Sequence, residues 1–357
     1  MIIYSKSSGL NNAAIGRLET PIKMIIEHES DIQKKKGGVC DWLFNVEKSN
    51  RFGETIVGGN EFDIFRAAAE GEAAESDTII ETYSKFIEHI QFMKEFTITA
   101  EMMEDANFGI AADAKHRAEN FARAYYKTIN KICEKSIVNA TVTSAQYANT
   151  TIDLTTPDGK PLFHNSHKWG SSSTSAYGTQ CNYFFGDILS SYDEYGERVY
   201  TAARFEEMLY VLAGKLRNMK DENGSPLGYT ADTIILPGNQ PKPESIVTKV
   251  CGSAGSIGKG YNDINLHYGN WNIVVIPSWN PSDMRFMVMS SEANKNLCGN
   301  MFFNRVPLTV TNWIDHHTGN YIWNGRCRFG VGFGTYKHIL LAVDSDTEIA
   351  NANSLEG

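Results

Sequence analysis

The sequence predicts a mixed α+β fold in which strands from distant parts of the chain come together. Three observations predict it: a strongly periodic helix over residues 112–140, a long alternating stretch before it, and short β-rich runs interleaved with helices after it. No internal repeat divides the chain. Its 357 residues suffice for about two domains, or one large elaborated domain, with a substantial core.

The first 38 residues carry little periodicity. "IKMIIEHES" predicts a short helix, and the rest reads as an extended arm ending at Gly37-Gly38. From Glu54 to Thr99 the chain reads as one long β-hairpin. "ETIVGGNEFDIFR" leads to a small-residue, polar tip, "AAAEGEAAESD", and "TIIETYSKFIEHIQFMKEFTIT" leads away from it; helix competes at "RAAAEGEAAE", where Gly71 weakens it. An isolated hairpin of that length cannot bury both faces, so it must lie on the rest of the chain or on another copy.

Thr99, with Glu101 in the following turn, predicts the start of a short helix at "AEMMED". The helix at 112–140 places Ala118, Phe121, Ala122, Tyr125, Ile129, Ile132, Cys133, Ser136 and Ile137 at i, i+3, i+4 spacing. Lys115, Glu119, Arg123, Lys127 and Lys131 hold its opposite side. A turn-rich stretch follows. A second amphipathic helix at 201–220 carries Phe205, Met208, Leu209, Leu212, Leu216 and Met219 on one stripe. "DTIILPG" reads as a strand, "PESIVTKV" as a short helix starting at Pro243, and "WNIVVIPSW" and "RFMVMS" as strands. The last stretch alternates as paired strands around "HHTGN".

The composition, 42% hydrophobic and 21% charged, is that of a folded protein. No run approaches the roughly 18–20 apolar residues a membrane span requires, and no secretory h-region opens the chain. Synthesis in the cytosol is the expectation. Six cysteines without a C-x-x-C pair predict free thiols in a reducing compartment. Charge is concentrated: Glu61 to Asp105 holds twelve acidic and three basic residues, and so matches the net −9 of the whole chain. No clustered Lys/Arg footprint of a nucleic-acid binder is visible, and "QKKKGG" at 33–38 is too short to count as one.

Candidate chemistry is thin. "CGSAGSIGKG" at 251–260 departs from a phosphate loop, having Ser253 where Gly is needed and Gly260 where Ser or Thr is needed. "HNSH" spaces His164 and His167 by three, yet lacks the Glu of H-E-x-x-H, and His316 and His317 are adjacent in a turn. A metal-dependent hydrolase using His164, His167 and a third ligand is the rival these residues allow. No catalytic constellation, cofactor site or metal site is assigned, and the chain is read as a non-enzyme.

The order of elements points elsewhere. The acidic hairpin, then Glu88, His89, Phe96, Ile98 and Thr99 running into a long helix, then Asp158, Gly159, Pro161, Leu162, Phe163 and His167 of "DGKPLFHNSH", resemble the major capsid proteins of tailed bacteriophages. "LRNMKDENGSPLGYTADTIILPG" and the closing strands add to that resemblance, which covers roughly residues 40–345. It implies a Hong Kong 97-like fold with these boundaries: an N-arm at 1–38, residues 39–53 leading into the P-domain, an extended E-loop hairpin at 54–98, and a P-domain at 99–200 with its spine helix at 112–140. The A-domain would follow at 201–315 and closing strands with a tail at 316–357.

The resemblance further implies a homo-oligomer of pentamers and hexamers in an icosahedral shell. That shell would enclose double-stranded phage DNA without sequence-specific binding, and would work with a scaffolding protein, a portal and a decoration protein. The location implied is the virion, with assembly in the bacterial cytoplasm and no membrane partner. An encapsulin-like cellular compartment is the alternative on the same fold. On this reading the hairpin tip makes intersubunit contacts through Ala68, Glu70, Gly71, Glu72, Glu75 and Asp77.

Overall fold

The computed structural model describes residues 3–4, 13–59, 67, 70–73, 81–99, 101, 110–168, 178–192, 194–195, 198–222, 224–252, 265 and 267–355. Strand β1 (Ile3–Tyr4) and helix α1 (Ala13–Lys36) are followed by α2 (Val39–Leu43), β2 (Asn45–Lys48), β3 (Gly53–Gly59), β4 (Glu81–Glu88) and β5 (Ile90–Ile98). Next come α3 (Ile110–Val138), β6 (Ser144–Tyr147), β7 (Thr150–Asp153), β8 (His167–Lys168), β9 (Thr179–Gln180), β10 (Tyr183–Gly186), β11 (Ser190–Tyr192) and β12 (Arg198–Tyr200). The remainder comprises α4 (Ala202–Arg217), β13 (Thr233–Pro237), α5 (Pro241–Gly252), β14 (Asn272–Ile276), β15 (Arg285–Met289) and α6 (Ser291–Asn296). Strands β16 (Asn300–Ile314), β17 (Tyr321–Phe333), β18 (Ile339–Asp344) and β19 (Asn353–Ser354) close the chain.

Two sheets organise these elements. In the first, β1, β16, β17 and β5 are neighbours in that order, and β2 also pairs with β16. In the second the order is β14-β13-β15-β18-β10-β19, so residues 183 and 343 end up in one layer. Helix α3 lies on the first sheet, with Ala118, Phe121 and Ala122 packed among Ile98, Leu308, Val310 and Trp323. Its other end, at Ile132, Cys133 and Ile137, joins a core shared with Met287, Phe302, Phe329 and Leu341. The predicted stripe is therefore the buried one. At 29 residues the helix is about 43 Å long, enough to tie the two ends of that core together.

Helices α4 and α5 cover the second sheet. Thr201 caps α4 by accepting from the Arg204 amide at 3.3 Å, and Phe205, Met208, Leu209, Leu212 and Leu216 are buried as the spacing predicts. Helix α5 begins at Pro241, two residues before the predicted start, and Pro243 is the buried residue of its otherwise exposed first turn.

Three expectations change. Residues 13–36 form one helix, where only a short helix within an extended arm was expected. Its inner face is partly polar, which hides it from an apolar-period reading. Beyond Ile22 and Ile26, that face uses Glu29, held by Arg123 at 2.7 Å, and Ser30, whose hydroxyl lies 2.5 Å from that of Tyr126. The hairpin's second arm is two strands rather than one. It breaks at His89, after which β5 leaves β4 and pairs with β17 from Ile90↔Phe329 to Ile98↔Tyr321. Helix α6, capped by Ser290, was not foreseen. Most of the expected "AEMMED" helix and the "CGSAGSIGKG" loop lie outside the described residues.

Candidate assembly surface

The hairpin of β3 and β4 is antiparallel, with Thr55 opposite Phe86 and Ile56 opposite Lys85. Alternation then separates two faces. On the inner face Ile87 packs on Met301 and Phe303, with Ile56 alongside. His89, 2% exposed, donates from Nδ1 to the Phe52 carbonyl at 2.8 Å. The Lys85 ammonium is buried against Asp153 and donates to Thr155 Oγ1 at 2.5 Å. Burial pushes the Asp153 carboxyl up, but hydrogen bonds from Lys85 and Thr155 outweigh it and hold it below the usual range.

This inner face rests on a track of glycines. Gly330, Gly332 and Gly334 recur at period two along β17 and its end. A Cβ on Gly332 would lie 2.5 Å from Ile87 Cδ1, one on Gly330 would lie 2.8 Å from the Glu88 carbonyl, and one on Gly334 would lie 3.1 Å from Ile56 Cγ2. The run "FGVGFG" is thus the seat of the hairpin. Its signal in the sequence is the two-residue glycine period, which an apolar-pattern reading passes over.

The outer face is bare. Phe52, Val57 and Phe86 are 62%, 48% and 52% exposed, and the Phe52 and Phe86 rings stack at 6.5 Å. The Arg328 guanidinium lies 5.2 Å from the Phe52 ring. At the tip Glu70, Gly71 and Glu72 are exposed, and Gly71 takes the left-handed conformation a tight turn needs, with φ +87°. Ala68, Glu75 and Asp77 lie outside the described residues.

The two loop histidines have a different task. His167 is fully buried, with Nδ1 2.9 Å from Asp158 Oδ2 and Nε2 3.1 Å from the Leu162 carbonyl. Its ring stacks on Tyr336 at 4.0 Å. Asn182 links the same loop to the second sheet, donating to the Leu162 carbonyl at 2.7 Å and accepting from the His164 amide at 3.0 Å. His164 Nδ1 accepts from the Ser166 amide at 3.0 Å. Both nitrogens of His167 are spent on protein partners, so the pair pins a loop rather than presenting lone pairs to an ion. His316 and His317 lie in the exposed turn between β16 and β17. Among the described residues no group of three or more His, Cys, Asp or Glu side chains is placed to hold a metal.

No family model matches the sequence, and no curated protein matches it. Its fold is nonetheless that of tailed-phage capsid proteins. A chain from the capsid of Myoviridae phage XM1 superposes with a TM-score of 0.50 over 86% of this chain and 92% of that one, at 11% identity. A capsid chain of cyanophage P-SCSP1u covers 85% and 87% at 9% identity with a TM-score of 0.48. One from an empty GTA particle covers 86% and 90% at 13% identity with a TM-score of 0.45.

Proposed function

We propose that this protein is a structural, non-enzymatic shell subunit: the major capsid protein of a tailed phage or prophage, which self-assembles into an icosahedral head around double-stranded DNA. In that reading α1 belongs to the N-arm, the β3–β4 hairpin is the E-loop of a Hong Kong 97-like subunit, α3 is the spine of the P-domain, and α4, α5 and the second sheet form the A-domain. Pentamers and hexamers of the subunit build the shell with a scaffolding protein, a portal and a decoration protein, and the finished shell is located in the virion after assembly in the host cytoplasm.

The observation that carries the reading is the divided hairpin. The inner face of its described residues is covered by its own chain, one of the two covers the sequence allowed. Its outer face leaves Phe52, Val57 and Phe86 uncovered, and Glu70, Gly71 and Glu72 are exposed as well. A rigidly seated arm with one bare apolar face suits a contact with a neighbouring copy in a ring. The tip residues Ala68, Glu70, Gly71, Glu72, Glu75 and Asp77 are assigned to that contact.

Deleting residues 68–77 tests the assignment, with circular dichroism for folding and negative-stain imaging for assembly. A folded subunit that forms no complete shells is the expected result. Normal shells from the deletion would remove the tip from the contact, and wild-type protein that stays solitary with and without a scaffold would remove the shell reading itself.

A further inference from the structure

The fold brings together two basic segments that lie about ninety residues apart in sequence. Glu29–Arg123 at 2.7 Å and Ser30–Tyr126 at 2.5 Å set α1 alongside α3, and the Cys40 amide of α2, donating to Asn130 Oδ1 at 3.2 Å, continues the same direction. The end of α1, with exposed Lys34, Lys35 and Lys36, therefore lies beside the middle of α3. There Arg123, Lys127 and Lys131 are exposed at four-residue intervals, about 6 Å apart along the axis. Lys127 and Lys131 form no ion pair with any described residue.

We infer that this α1–α3 face docks the phosphate backbone of double-stranded DNA without reading its sequence, and so faces the interior of the shell. The inference rests on the shell reading for its setting and on the cation row for its chemistry. Three features favour a polyanion. The cations form a row rather than a pocket, which suits a linear charge. The exposed positions of α3 from Lys115 to Lys135 are Lys115, His116, Asn120, Arg123, Lys127, Lys131 and Lys135, none of them an apolar anchor of the kind a protein interface needs; the exposed apolar side chains of the pair, Met24 and Ile32, are both on α1. The acidity of the chain does not oppose it. The whole net charge of −9 is matched by the segment 61–105, and charge is screened within about 10 Å at 0.1 M salt.

Binding of unrelated short duplexes to the full-length soluble subunit, followed by fluorescence anisotropy over a salt series, tests this without requiring assembly. The wild type should bind every duplex alike at about 50 mM salt. With Lys127→Gln and Lys131→Gln together, the slope of log affinity against log salt should fall by about 1.8, at roughly 0.9 per lost phosphate contact. Both lysines are exposed, and an unchanged circular dichroism spectrum confirms that the variant folds. Absent wild-type binding, or an unchanged slope in the variant, overturns the inference and leaves the shell reading intact. Unchanged DNA binding combined with failed assembly also overturns it and assigns the row to a contact with a second copy.

Discussion

His167 is fully enclosed, yet both its ring nitrogens face acceptors, the Asp158 carboxylate and the Leu162 carbonyl. Removing either partner leaves a buried polar group without compensation. Asp158→Ala should cost about 3 kcal/mol in urea unfolding, at the upper end of the range for leaving a buried hydrogen-bonding group unsatisfied. Burial alone would push the Asp158 carboxyl up, but the His167 hydrogen bond and charge, with help from Thr156 and the Lys160 amide, hold it below its usual value. That contribution is complete above about pH 4, the unfolded carboxylate range, and is lost as pH falls through the lower folded value. His338 acts over a higher window. Burial pushes its imidazole down to about 3, while Nε2 donates to Asn300 Oδ1 at 2.9 Å. The unfolded chain then takes up a proton near pH 6.5 that the folded chain refuses. Urea midpoints should fall steadily from pH 7 towards pH 4, and His338→Gln should flatten that fall. A midpoint constant over this range would show that His338 does not titrate differently in the two states.

At the scale of elements, burial and seating are separable. Phe205 in α4 is fully buried against Phe286, with ring centroids 5.2 Å apart, and Phe205→Ala should cost about 3–5 kcal/mol in stability. Gly332→Val acts differently. Its side chain would occupy the position of Ile87 and lift the hairpin from β17, so a folded protein with more exposed hairpin amides in hydrogen exchange is expected and, on the proposed function, defective assembly. Unchanged exchange across 53–59 and 81–88 would show that the glycines do not seat the arm. Elements with a single apolar stripe, such as α3 and α4, were legible from spacing alone. Helix α1 was not, because Glu29 and Ser30 fill inner positions that read as solvent-facing until Arg123 and Tyr126 are placed opposite them. The break at His89 was not legible either. Both β4 and β5 alternate, and only their different partners, β3 and β17, separate them.

The whole molecule is built by interleaving. Strand β2 pairs with β16, β5 with β17, and β10 with β18. The first sheet is finished only when β16 and β17 join β1, β2 and β5 from the other end of the chain. A fragment of residues 1–200 should be degraded by protease at concentrations the full chain survives, because its strands β2, β5 and β10 lack neighbours; a resistant fragment would contradict the interleaving. The overall α+β class and the order of elements were visible in the sequence, and they led to the capsid resemblance. The glycine seat and the cationic α1–α3 face were not, since each depends on segments that meet only after folding.

The pairing of Asn45–Lys48 with Met301–Asn304 has a consequence during biosynthesis. Ribosomes add about 5–20 residues per second, so the early strand waits roughly 13–50 s for its mate to emerge. Through that interval Leu43 and Phe44, 0% and 5% exposed in the finished protein, lack the part of their cover that Phe302 and its neighbours supply. A nascent polypeptide in that condition is a natural client for a holding chaperone, and the yield of native subunit would be decided before any two copies meet.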